Sequence, residues 1–377
     1  VATEAVRRPR GSVEYVDPVQ DVRRQRAGAA AKVKSVLLIR LSAMGDLVQS
    51  LGSVASLREA RPDCRVTVVT QREWAPLLEG VAGVDRVVRY DRRGGLRALW
   101  SLRRELLRDP ATIALDLQGN WKSALVARLS GATERIGMAP GWRQEPRSRV
   151  LLQRLVGCDA TPHPARAAWE LVKQVAPEAP FRRPALVARA DEVADERAVI
   201  EHLATGCGAA FRVRVITHPS DPRPLQPAMT REITKDGMPT LLLLGPGESD
   251  MPTPHGCVVR HGRGDVRRLV ALGALVAGAN GEVVGPDQGA THVLLGSGAR
   301  GRVFFGSQDP RRTAPPAASA YIRAGELSCR PCRKRSCSNP DGVVCMDIGA
   351  ATAQRVPTSL PPDGATGCGT WPSGDLG

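Results

Sequence analysis

The sequence predicts an α/β protein built from two doubly wound parallel-sheet domains of Rossmann-like type that face a cleft. Three observations carry this expectation. Short continuous apolar runs such as 36–39 (VLLI) and 241–244 (LLLL) suit strands buried on both faces. Between them lie segments with helical apolar spacing, 96–107 for example, which marks right-handed βαβ crossovers. The alternation stops in a Pro-rich stretch at 176–184 and then restarts, and 377 residues are enough for two cores of ordinary size.

The elements follow in order. Residues 1–34 are polar, Arg-rich and without periodicity, and read as a basic flexible arm. The first domain, 35–180, begins with the strand at 36–39 and a helix whose apolar positions Leu47, Leu51, Val54 and Ala55 oppose Gln49, Ser53 and Arg58. Strands are expected at 65–70, 87–90 and 113–117, with helices at 96–107 and 122–129. The second domain, 181–350, carries strands at 212–216, 240–244, 283–284 and 303–305, with helices at 267–277 and from about Thr291. Residues 351–377, rich in Pro, Gly, Ser and Thr, read as a disordered tail.

Charge narrows the function classes. Lys plus Arg exceed Asp plus Glu by 53 to 38, a net +15, which favours anionic partners: phosphorylated small molecules, an anionic membrane surface or nucleic acid. Nucleic acid is the weakest of these, because aromatic residues make up only 3% and no finger or helix-turn-helix spacing is present. The sequence lacks an apolar run of about eighteen residues, and its first stretch lacks the apolar region of a secretory signal. The expectation is a cytoplasmic protein, at most peripheral on the inner face of the membrane.

Ligands of doubly wound sheets sit beyond the carboxyl ends of the strands, where Asp46, Gln118, Gly245, Asp287 and Gly306 all fall. Asp46 follows Gly45 at a helix start, where negative charge is favoured; on its own it reads as a helix cap. The turn GPGE at 245–248 would let a nucleotide approach the backbone, with Glu248 accepting from ribose or base. At 284–292, VGPDQGATH joins a strand end, a carboxylate (Asp287) and a fresh helix start, an arrangement suited to a diphosphate, with His292 one turn in. Arg311 and Arg312 follow another strand end and suit phosphate. Cys329, Cys332, Cys337 and Cys345, interleaved with cations, match a four-thiolate structural zinc site, with free thiols as the competing reading.

Taken together, RLSAMGD (40–46), ALDLQGNWKSALVARLSGATERIGM (114–138), LLLLGPGE (241–248), VGPDQGATH (284–292), FGSQDPRRTAP (305–315) and CRPCRKRSC (329–337) resemble glycosyltransferase family 9, the lipopolysaccharide heptosyltransferases. The resemblance implies a GT-B architecture and inverting transfer of a heptose or similar sugar from an ADP-activated donor to a phosphorylated, lipid-linked acceptor. No catalytic cofactor is implied. Asp46 would be the general base, Asp287, Gln288, Gly289 and His292 would contact the nucleotide sugar, and Glu248 the nucleoside. The chain departs from the family pattern at 216–227 (ITHPSDPRPLQP), where the expected lysine and tryptophan are absent and Arg223 is the candidate replacement cation. Asn280-Gly281-Glu282 also reads as an interruption before the following strand. A second reading therefore stays open: a catalytically impaired nucleotide- or polyanion-binding protein that retains the fold.

Overall fold

The computed structural model describes residues 14–16, 33–157, 163–204, 214–218, 233–245, 257–261, 264–316, 320–323, 327–330, 332, 334, 337–346, 354–355 and 360–366. Glu248 and Arg223 lie outside them, as do most of the arm and much of the tail.

The first lobe is a seven-stranded sheet. Its strands are β1 (Glu14–Val16), β2 (Ser35–Ile39), β3 (Arg65–Gln71), β4 (Arg86–Tyr90), β5 (Ile113–Asp116), β6 (Glu134–Met138) and β7 (Arg154–Val156), in spatial order β1-β7-β6-β5-β2-β3-β4. Every pairing is parallel. The continuous apolar run of β2 has a direct cause. Val36 and Leu38 enter one hydrophobic core while Leu37 and Ile39 enter another on the opposite face, so no position in the run meets water. The crossovers are α1 (Met44–Ala60), α2 (Gly95–Leu107) and α3 (Trp121–Leu129). Strand order reverses between β2 and β5, which is where a doubly wound sheet opens a ligand crevice.

The second lobe repeats the plan. Strands β8 (Arg214–His218), β9 (Thr240–Leu244), β10 (Cys257–His261), β11 (Glu282–Pro286), β12 (Arg300–Phe305), β13 (Ala320–Arg323) and β14 (Gln354–Arg355) run in the order β10-β9-β8-β11-β12-β13-β14, and only β14 is antiparallel to its neighbour. Here the reversal falls between β8 and β11.

Several expectations are corrected. Asn280-Gly281 is no interruption. Asn280 takes φ 50° just past the helix Val266–Gly278, its amide bonds Ala277 O at 3.2 Å, and the Gly281 amide bonds Val276 O at 2.8 Å. That is a left-handed helix stop of Schellman type. It delivers Glu282 directly into β11, where its carboxylate pairs with Arg214 and Arg302. Within the arm, Glu14–Val16 adds a strand beside β7. The tail is not wholly unfolded either. Besides β14, residues 360–366 return to the first lobe: the Phe181 amide donates to Ala365 O (2.7 Å), the Gly364 amide to Phe181 O (2.8 Å), and Leu360 is buried with Trp169 and Phe181.

The Pro-rich crossing at 176–184 is packed. Trp169, on α4 (Pro164–Val172), donates its indole N–H to Ala179 O at 2.9 Å and meets Phe181 edge-on at 5.7 Å. Beyond it α5 (Ala190–Ala204) packs on α6 (Val266–Gly278), followed by α7 (Gly289–Gly296) and the short α8 (Pro310–Thr313). The lobes share one core, since Val266, Val270 and Val293 of the second join the cluster around Leu47, Leu51 and Val54 of the first. Arg267 reinforces this join, donating to Glu79 O (3.1 Å) across the interface while its guanidinium grips Glu192.

Candidate active site

On the first-lobe side the site is built from the turn between β2 and α1. α1 starts at Met44 with Ala43 as its cap residue and no side-chain cap bond. Asp46 is therefore not the cap; it lies in the first turn, with its side chain 25% exposed and ion-paired with buried Arg40. Arg40 also donates to Leu117 O, tying the pair to the end of β5, while its Nε is buried without a partner. Gln118 closes the same crevice. Its Oε1 accepts from the Leu41 and Ser42 amides (2.9 and 3.3 Å), and its Nε2 donates to Ser42 Oγ at 3.1 Å. Behind it Asp116 accepts from the Gln118 and Gly119 amides and from Arg143 at 3.0 Å, in a pair sealed from solvent. This scaffold fixes the backbone on both sides of the switch point.

On the second-lobe side, α7 begins at Gly289 with Gln288 as cap residue and no side-chain cap bond. The Gln288 Nε2 beside this helix start is buried without a partner. Asp287 accepts from His292 Nε2 at 2.9 Å. Gln49, on α1, donates to His292 Nδ1 (3.1 Å) and to Thr313 O (3.0 Å). The Thr313 carbonyl can only accept, which orients the Gln49 amide and assigns the His292 proton to Nε2.

The two helix starts meet. A Cβ at Gly45 would lie 2.9 Å from the His292 ring, and one at Gly289 would lie 2.6 Å from Met44 Cε. Glycine at both positions permits this approach. Asp46, Asp287 and His292 all lie close enough to act electrostatically on His163, which caps α4. The ring of His163 is buried between the lobes; its Nε2 donates to Ala314 O at 2.8 Å and its Nδ1 accepts from the Ala165 amide. Burial lowers its pKa to about 4.

Asp46, Asp287, Gln288, Gly289 and His292 are thus brought to one seam between the lobes. Arg40, Gln49 and His163 were not foreseen as site residues. Arg40 stands in the same motif as Asp46 and could have been found as its nearest cation. Gln49 was placed on an outer face, yet it is buried, as is Ser53. The cysteines are not assembled into a metal site. Cys345 is buried with Met346 beneath β12, Cys329 and Cys337 are exposed, and among the described residues no three His, Cys, Asp or Glu side chains converge. The zinc reading is therefore not supported. A separate cavity of about 480 Å³ opens at the ends of β3 and β4, lined by Gln71, Glu73, Trp74, Arg92 and Arg93. The Trp74 indole N–H there has no partner.

Residues 99–182, from within α2 to the interlobe crossing, match the family model described as glycosyltransferase family 9 (heptosyltransferase). Over that segment, under a quarter of its length, the chain is similar to family 9 glycosyltransferases. Solved structures extend the comparison from that segment to the fold of 77–79% of the chain. A glycosyltransferase family 9 protein from Veillonella parvula superposes with a TM-score of 0.66 at 16% identity, over 77% of this chain and 86% of that one. The E. coli heptosyltransferase WaaC with ADP-2-deoxy-2-fluoro heptose gives 0.58 at 20% identity, over 79% and 96%. E. coli ADP-heptose lipopolysaccharide heptosyltransferase II gives 0.58 at 18% identity, over the same 79% and 96%. The chain therefore has the GT-B architecture of these structures. No curated protein sequence matches it.

Proposed function

We propose that the protein is an inverting glycosyltransferase that moves a heptose or similar sugar from an ADP-activated donor to a phosphorylated, lipid-linked acceptor of the lipopolysaccharide-core type. One observation carries the reading: a partly exposed carboxylate at the start of α1 sits across the lobe seam from the uncapped start of α7. In the reaction, Asp46 takes the proton from the acceptor hydroxyl as its oxygen attacks the anomeric carbon. The bond from that carbon to the diphosphate breaks, and the N–H groups at the start of α7 stabilise the departing charge. The His292 imidazole, held by Gln49 and Asp287, borders the leaving group. Gln288 and Gly289 line the same helix start, and Glu248 and Arg223 remain candidates for nucleoside and diphosphate contact. The arginine-lined cavity beyond β3 and β4 suits the acid groups of the acceptor. That acceptor would bring the protein to the inner face of a membrane. The structures of WaaC, one with ADP and one with a fluorinated ADP-heptose, support the donor class.

A second reading, a non-catalytic nucleotide- or polyanion-binding protein, draws on the ion pair that engages Asp46 with Arg40. The deciding experiment pairs thermal stabilisation by ADP, UDP and GDP with transfer from ADP-heptose. The proposal expects ADP to stabilise best and Asp46→Asn to lower transfer by about 10²–10⁴-fold while leaving ADP stabilisation intact. Stabilisation by ADP without any transfer would favour the second reading. Full activity in Asp46→Asn would remove the assigned base.

A further inference from the structure

α2 covers one face of the first sheet with few residues. Only Leu102 and Leu106 of the helix are buried, in the core that also takes Ala124, Val126 and Ala127 of α3. Its opposite side is unusual for a solvated helix. Leu96 is 84% exposed, Trp100 63% and Leu107 38%. Leu96 and Trp100 stand four apart and Leu107 seven beyond, so with Arg103 and Arg104 they form a single outward stripe. Single exposed apolar side chains need no explanation, whereas three in a row on one helix do.

Charge indicates what covers the stripe. Arg92, Arg93, Arg97, Arg103, Arg104 and Arg108 crowd this segment, and among the described residues none of their guanidinium groups has a carboxylate partner. The helix's only acid, Glu105, is ion-paired to Arg86 at 3.6 Å. The Arg104 guanidinium lies 5.1 Å over the Trp100 ring, an arrangement that lets the stem of a cation share an apolar surface while its head stays polar. A helix with Trp and Leu on its outer stripe, arginines beside them and no free acid matches a surface that is apolar within and anionic at its rim. Both α2 and α3 begin at the carboxyl edge of the sheet, and Trp121, exposed at the start of α3, adds an aromatic there. Among the described residues no helix is long and apolar enough to cross a membrane, so contact through this helix would be lateral.

We propose that α2 lies flat on an anionic lipid bilayer, with Leu96, Trp100 and Leu107 entering the headgroup boundary and the flanking arginines on lipid phosphates. This rests on the reading of a lipid-linked acceptor, whose lipid would lie in the same bilayer. Its test needs neither donor nor transfer, so its failure is distinct from failure of the transferase reading.

The test is flotation of the full chain with vesicles of phosphatidylcholine and phosphatidylglycerol in equal parts, and with phosphatidylcholine alone. The key variant is Leu96→Ser with Trp100→Ser, which leaves the charge unchanged and, at such exposed positions, the melting midpoint as well. The wild type is expected to bind the anionic vesicles and not the neutral ones, with a blue shift in tryptophan emission. The double variant is expected to bind about tenfold more weakly or worse, as lost apolar insertion requires. Equal binding by the double variant would mean that net charge alone drives attachment, and would overturn the proposal. So would a wild type that doubles in mass without lipid and returns to monomer in the variant, because the stripe would then be a contact between copies of the chain.

Discussion

His163 offers a direct test of how the lobes are joined. Its ring is enclosed between α4 and the second lobe, with one nitrogen accepting from Ala165 and the other donating to Ala314 O. A proton added to Nδ1 would face an N–H donor with no water to solvate the charge. Burial therefore pushes the pKa from 6.5 to about 4, with His292 opposing protonation further. In the unfolded chain the ring binds its proton near pH 6.5, and in the folded protein only near pH 4. The unfolded state thus holds more protons throughout that window, so stability falls as pH drops from 6.5 to 4 and levels off beneath it. At about 1.4 kcal/mol per pH unit, the loss across the window is about 3 kcal/mol. The perturbation is His163→Gln, which keeps an N–H donor for Ala314 and removes the titration. Urea unfolding of both chains across the window measures the effect. Glu192 and Asp236, whose pKa values are lowered by Arg267 and Arg214, also lose stability in acid, but equally in both chains, so the difference isolates His163. The wild type should lose about 3 kcal/mol relative to the variant. Parallel curves would refute the enclosed, neutral ring.

Two further outcomes follow from packing. A Cβ at Gly52 would stand 1.9 Å from the Arg182 carbonyl oxygen, so Gly52→Ala must push α1 off the interlobe crossing. It should cost about 1–3 kcal/mol or more by denaturant unfolding, whereas Gly289→Ala, facing the flexible end of Met44, should cost less. Arg143→Met should leave Asp116 charged, sealed and without its cation, at about 3–5 kcal/mol, and a stability within error of wild type would show that the pair is dispensable.

Much of the fold was legible because the strands buried on both faces are apolar without interruption. The apolar runs of β2 and β9 needed no further signal. Asp46 and Asp287 were legible as carboxylates at strand ends next to glycine. The interface was not. On α1, Gln49, Ser50, Ser53 and Ser56 look like a solvent face, but the helix is covered on one side by its own lobe and on the other by α7. The serines bond α1's own carbonyls, and the Gln49 Nε2 finds its acceptors across the seam. α4 was missed although Arg166, Glu170 and Lys173 give it a polar stripe at helical spacing, a stripe that the fold then encloses. The ordered part of the tail eluded a compositional reading because backbone bonds to Phe181 hold it, and composition carries no trace of those.

That returning segment changes how the halves can move. Polypeptide passes from the first lobe to the second near Phe181 and is back on the first by Leu360, and the two passages are bonded to one another. A body hung from one tether can swivel about it; one hung from two bonded tethers cannot. Turning of one lobe against the other about that crossing is thereby restrained at two bonded strands of chain.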